Sequence, residues 1–84
     1  MTWKITYYNN NVYSTLMKWP DTLLAKYLRI TELMERNGAN LGMPLTKSLG
    51  HGLFEIRANA HEGIGRVFFC TVIHKEIIIL QFLQ

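Results

Sequence analysis

The stretch between Pro20 and Gly38 constrains this chain more than any other part of it. Leu23, Leu24, Tyr27, Leu28, Thr31 and Met34 fall at helical spacing on one stripe, while Lys26, Arg29, Glu32, Glu35 and Arg36 lie mostly elsewhere. Pro20 suits a first helical turn, and Asp21 favours the positive end of the helix. Asn37 and Gly38 supply the stop, because glycine takes the left-handed conformation at a helix end. The pattern predicts a helix over residues 20–37. An apolar stripe on one helix needs a second layer to cover it.

The rest of the sequence offers that layer as strands. Residues 3–8 alternate bulky and polar side chains and predict a first strand. Asn9, Asn10 and Asn11 offer a helix N-cap, since an Asn side chain accepts from free helical N–H groups. Val12, Tyr13, Leu16 and Met17 follow at helical spacing, so a short helix precedes the long one and ends at Pro20. The two helices are expected to form a hairpin. Residues 38–52 hold four of the six glycines and Pro44, which predicts a loop with room for one helical turn at 45–49. Residues 53–58, 65–74 and 76–83 read as three further strands, joined by a hairpin loop at 59–63 and a tight turn at His74 and Lys75. Ile77, Ile78, Ile79 and Leu80 are apolar on both faces, as in a strand inside a sheet. The order β-α-α-β-β-β predicts an α+β domain: two N-terminal helices packed on one face of a twisted antiparallel sheet.

Size and composition narrow the function classes. Eighty-four residues make one domain, here 1–84. No apolar run approaches the roughly 20 residues that span a bilayer, and no signal-peptide pattern opens the chain. A lone Cys70 excludes an internal disulfide framework, so the expected location is the cytoplasm, with no membrane partner. Nine Lys and Arg against six Asp and Glu give a net charge of +3, which favours polyanions at long range. The basic residues are scattered and form no run. The sequence stops on its most hydrophobic strand, so either a partner or a further C-terminal segment is expected to cover that end.

Among polar residues, Arg57 and Arg66 carry the most information. Each sits on a predicted strand among apolar neighbours, and pairing through the 59–63 loop brings them near one end of the sheet. Two guanidiniums on one face can clamp a phosphate and stabilise charge as it is attacked. The plainer alternative is that both are solvated strand ends, or that one pairs with Glu55 or Glu62. His51, His61 and His74 all fall in predicted loops, each a possible acid or base near neutral pH. Their spacing of ten and thirteen residues fits no helical metal motif, and Cys70 sits in an apolar run that suits a structural thiol. No metal and no small-molecule cofactor are therefore expected. Residues 49–53 are glycine-rich but lack the lysine and following helix of a nucleotide cradle.

One succession of residues is more specific. Trp19 and Pro20 close the short helix, and Arg36, Asn37 and Gly38 close the long one; Pro44, Leu45, Thr46, Lys47, Ser48 and Leu49 follow. Then come Gly52, Leu53, Phe54, Glu55, Ile56 and Arg57, and after them Gly65, Arg66, Val67, Phe68 and Phe69. Over about residues 5–83 this resembles the RelE/HigB-like toxins of type II toxin–antitoxin pairs, particularly their phage-derived subgroup. The resemblance implies a ribosome-dependent endoribonuclease that cuts mRNA without a metal, the ribose 2′-hydroxyl attacking the adjacent phosphate. It implies that Arg66 stabilises the charged intermediate, that Arg57 assists nearby, and that Lys47, with His51, contacts RNA phosphate from the loop before the strand. It also implies a cognate antitoxin, of the helix-turn-helix kind, besides the ribosome and mRNA. This chain departs from the pattern in two respects: it lacks the basic C-terminal tail, and it has Leu53 and Glu55 where some relatives place lysines. The resemblance leaves the general base open, with His51, His61 and His74 as candidates. The alternative function is a truncated or non-catalytic toxin-fold protein that only binds its antitoxin, or a gyrase poison of the ParE type.

Overall fold

A computed structural model describes residues 2–84. Two helices, α1 (Asn10–Leu16) and α2 (Asp21–Asn37), lie on one face of a five-stranded sheet. The strands are β1 (Lys4–Tyr7), β2 (Thr46–Gly50), β3 (Leu53–Ala60), β4 (Gly63–Val72) and β5 (Glu76–Leu83), in the spatial order β1-β5-β4-β3-β2.

The expected α+β class holds, as does the antiparallel meander of the last three strands. Two details differ. Residues 46–50 form strand β2, an outer strand antiparallel to β3, where a loop with a helical turn was expected. Only Thr46 of this strand is buried, so its sequence shows no apolar alternation for a pattern to catch. The sheet is also mixed, because β1 runs parallel to β5 with Ile5 opposite Ile77 and Tyr7 opposite Ile79. That pairing encloses β5 between two neighbours, which explains its run of isoleucines.

Local chemistry sets the helix ends. Asn9 caps α1, its Oδ1 accepting from the Val12 N–H at 2.8 Å. The helix stops at Leu16, before Pro20 forces the issue, and α2 starts at Asp21. At its far end Gly38 adopts φ 109° and donates its N–H to the Met34 carbonyl at 2.9 Å. Its buried stripe is Leu23, Tyr27, Ile30, Thr31 and Met34, with Leu28 turned to solvent. α2 lies across β3, β4 and β1, whereas α1 lies on β5 and β1, so each helix packs on the sheet.

The core is the space between the layers. Leu16, Trp19, Leu23, Tyr27, Ile30 and Met34 meet Ile56, Ala58, Val67, Phe69, Ile77 and Ile79. Tyr27 is wholly buried, and its hydroxyl shares a 2.9 Å hydrogen bond with that of Tyr7. Burial raises the pKa of both phenols above the ordinary value, most strongly for Tyr27, so the pair is neutral. The Trp19 indole packs so closely on β4 that a Cβ at Gly65 would sit 2.4 Å from its ring. Only glycine fits there. The Trp19 Nε1 is buried without an acceptor among the described residues.

Candidate functional site

Strand alternation sends Ile56, Ala58, Gly65 and Val67 toward the helices, and therefore Glu55, Arg57, Arg66 and Phe68 toward the opposite, open face. Arg57 and Arg66 stand directly across from one another in the β3–β4 register, as do Glu55 and Phe68. Such facing residues have Cβ atoms about 4.5–5.5 Å apart, and two like charges in that position repel. Glu55 resolves the conflict. Its Oε1 lies 3.5 Å from the Arg57 Nε, and its Oε2 accepts a hydrogen bond from the Arg66 Nε. The Glu55 side chain is 2% exposed, whereas those of Arg57 and Arg66 are 39% and 44% exposed. The Arg66 guanidinium also lies over the Phe68 ring, 5.4 Å from its centroid.

Lys47 joins this group from β2, directly across from Glu55 and fully on the open face. It sits on a strand and not in the expected loop. Three hydrogen bonds hold that strand and the segment leading into it. The Arg57 N–H donates to the Leu45 carbonyl at 2.8 Å. The buried Thr46 hydroxyl donates to Asn40 Oδ1 at 2.8 Å and accepts from the Gly42 N–H at 2.9 Å, folding residues 40–46 back on themselves. The face thus presents three cationic side chains around one buried carboxylate, with Gln81 and Leu83 of β5 continuing it beside Phe68 and Arg66.

The histidines are placed elsewhere. His51 occupies the β2–β3 turn with φ 56°, followed by Gly52 at φ 78°. His74 occupies the β4–β5 turn at φ 65°, followed by Lys75 at φ 59°. Both are left-handed positions that histidine tolerates better than most residues. Leu53, at the His51 end of β3, stands roughly 13 Å along the strand from Arg57 at ~3.3 Å per residue, so His51 does not join the arginines. His61 lies in the turn at the other end, past the Ala60–Gly63 pair that stands three register steps from the arginines. There its neighbour Glu62 accepts from the Thr22 hydroxyl of α2, which holds the carboxyl below its ordinary range. Among the described residues no cluster of His, Cys, Asp or Glu could hold a metal ion. Cys70 is a free thiol on the open face opposite Leu53, half-buried. No helix is long and apolar enough to cross a membrane.

The candidate site is therefore the group Lys47, Glu55, Arg57 and Arg66, with the Phe68 ring under the Arg66 guanidinium. Sequence reasoning found the three cations but offered Glu55 as a partner of one arginine, when it serves both. The signal was the i, i+2 spacing of Glu55 and Arg57 on a strand, which puts them on one face.

Residues 14–84 match the family described as phage-derived protein Gp49-like. Among solved structures, the chain is similar to one in the archaeal RelE–RelB complex from Pyrococcus horikoshii OT3. The identity is 20% and the TM-score 0.63, over 98% of this chain and 93% of that one. It is also similar to an arginine-to-alanine double mutant of the E. coli toxin RelE in the free state. There the identity is 9% and the TM-score 0.60, over 98% of this chain and 82% of that one. At such identities the likeness is one of fold. A search of curated proteins finds no match.

Proposed function

This chain belongs to the phage-derived Gp49-like family and has the RelE fold, and on that premise we propose that it is the toxin of a toxin–antitoxin pair. In this reading it is an mRNA endoribonuclease that works on the ribosome. The observation that carries the reading is the facing pair Arg57 and Arg66 on an open sheet face, with Lys47 on the neighbouring strand.

The chemistry follows from that geometry. A 2′-oxygen attacks the adjacent phosphorus, the bond to the 5′-oxygen breaks, and a 2′,3′-cyclic phosphate remains. One proton leaves the 2′-hydroxyl and one reaches the departing 5′-oxygen. Negative charge gathers on the non-bridging oxygens in between, and preorganised guanidiniums meet it. Arg66 is assigned the main share, Arg57 a supporting one, and Lys47 a contact to a neighbouring phosphate as a point charge. The cations do the work without a metal.

The Pyrococcus protein was solved in a complex with RelB. A small antitoxin partner for this chain fits that precedent and the exposed apolar side chains Leu83, Val72 and Ile73. The test is induction of the protein in growing cells, with primer extension on cellular mRNA. Growth arrest and new 5′ ends on translated messages only are expected. Arrest with intact mRNA would replace the reading by that of a gyrase poison, and no arrest by that of a non-catalytic binder.

A further inference from the structure

Glu55 is the one residue of the site whose chemistry runs against it. A site for phosphate gains nothing from a carboxylate, and burying one costs several kcal/mol unless it is well paired. Yet Glu55 sits at the centre, wholly enclosed. Its pairing geometry supplies the reason. Both arginines approach it through Nε, the inner edge of the guanidinium. Among the described residues no hydrogen bond engages their Nη atoms, and both side chains keep about two-fifths of their surface open. A guanidinium held by its Nε is fixed in plane and direction while its outer fork stays free.

We infer that Glu55 is a positioning residue: it clamps Arg57 and Arg66 by their inner edges so that their outer forks converge on one RNA phosphate. The inference rests on the proposed RNA-cleaving role for its kinetic consequence but not for its structural one. Without the clamp two facing guanidiniums repel and splay. With it, their repulsion is neutralised at the base and their donors are spent on the ligand. The carboxylate is assigned as a clamp and not as the base because it is buried, with Oε2 accepting from the Arg66 Nε and Oε1 3.5 Å from the Arg57 Nε.

Three measurements test this. In the free protein, nitrogen-15 spectra should show the Arg57 and Arg66 Nε–H signals displaced from the bulk arginine position and slow to exchange. Glu55→Gln should return both toward the bulk position. Adding a short RNA made uncleavable by 2′-O-methylation should move the Nη–H signals and leave the Nε–H signals in place. Bulk-like Nε–H signals in the free wild type, or Nε–H signals released when RNA binds, would overturn the clamp whether or not the protein cuts RNA. In single-turnover cleavage on ribosomes, Glu55→Gln should slow the chemical step on the order of 10²-fold, the scale of an ångström's misplacement. RNA should bind it as tightly as wild type or tighter, because a negative charge is gone. The shape of the pH–rate profile should not change. Loss of the profile's acidic limb in Glu55→Gln would make Glu55 the base and sink the positioning role. A wild type with intact Nε–H signals and no cleavage would retain the clamp while removing the nuclease reading.

Discussion

The two faces of the β3–β4 pair alternate residue by residue and yet obey different rules. On the inner face Ile56, Ala58, Gly65 and Val67 are buried without polar atoms, and shape decides everything. Gly65 exists because the Trp19 ring occupies the space its side chain would take. On the outer face, one residue further along, Arg66 lies over Phe68 and shares Glu55 with Arg57. There charge decides, and the two arginines stay partly open over a buried carboxylate. The contrast teaches that neighbouring residues can be separated cleanly in what they do. An inner-face change acts on stability, and an outer-face change acts on the site.

The sharpest way to break that separation is Arg66→Ala. Removing one preorganised donor typically costs ~10²–10³ in rate, roughly 2.7–4 kcal/mol, so toxicity and mRNA cleavage should vanish. The fold should survive, because Glu55 keeps Arg57 as a partner. Circular dichroism should therefore match wild type, while melting should fall modestly, because the buried Glu55 Oε2 loses its hydrogen-bond donor. Arg66→Lys should recover little, since an ammonium lacks the planar fork. Arg57→Ala should cost less than Arg66→Ala, its Nε standing 3.5 Å from the carboxylate. Lys18→Ala, exposed just after α1, should change nothing. An Arg66→Ala variant that still cuts at full rate overturns the assignment.

Gly65→Ala, next door, should do the reverse. A Cβ at 2.4 Å from Trp19 must displace the ring or the strand, and overpacking of this kind costs about 1–3 kcal/mol. In a domain of this size that lowers the melting temperature by roughly 4–8 °C per kcal/mol. Combining Gly65→Ala with Trp19→Leu should cost less than the two single changes added together. Strict additivity would mean that the contact is not what Gly65 is for.

The division also explains what could be read in advance. α2 was legible because its stripe is long and Pro20 and Gly38 punctuate it. The β3–β4–β5 meander was legible because each connection is short. The parallel pairing of β1 with β5 was not, because it joins Ile5 to Ile77 across nearly the whole chain and leaves no local trace. β2 was missed because an outer strand with one buried residue carries no alternating pattern. In the site, residue types on predicted strands pointed to Arg57 and Arg66 and the family resemblance pointed to Lys47, whereas the register that makes Glu55 common to both arginines needs coordinates. The placement of the histidines away from the arginines has a physical reason: His51 and His74 answer the demand for a positive φ in a turn.

A smaller effect probes the inner face alone. Tyr27→Phe removes the buried hydroxyl that shares a hydrogen bond with Tyr7. The loss should be about 1 kcal/mol, seen as a shift in the denaturation midpoint without a change in slope. Cleavage activity below the melting transition should be untouched. A variant that melts normally but cuts poorly would show that the two faces communicate through β1 and β5.

The smallest expected effect lies where α2 meets the β3–β4 turn. The Thr22 hydroxyl donates to Glu62, and this bond lowers the Glu62 carboxyl below its ordinary value. A carboxyl depressed in the folded state contributes stability that is present above its unfolded pKa and lost as pH falls through the folded one. Thr22→Val deletes the donor while keeping the size and branching of the side chain. The variant should therefore melt slightly below wild type at pH 7, and the gap should close as the solution is acidified past the carboxylate range. A gap that stays constant with pH would assign the loss to packing and not to the bond. Cleavage should be unaffected, since Glu62 lies in the turn, beyond Ala60 and Gly63 in the register, and touches neither arginine. If Thr22→Val instead lowers the rate, the turn helps set the register that makes Arg57 face Arg66, and the boundary between the stabilising face and the working one would run through it.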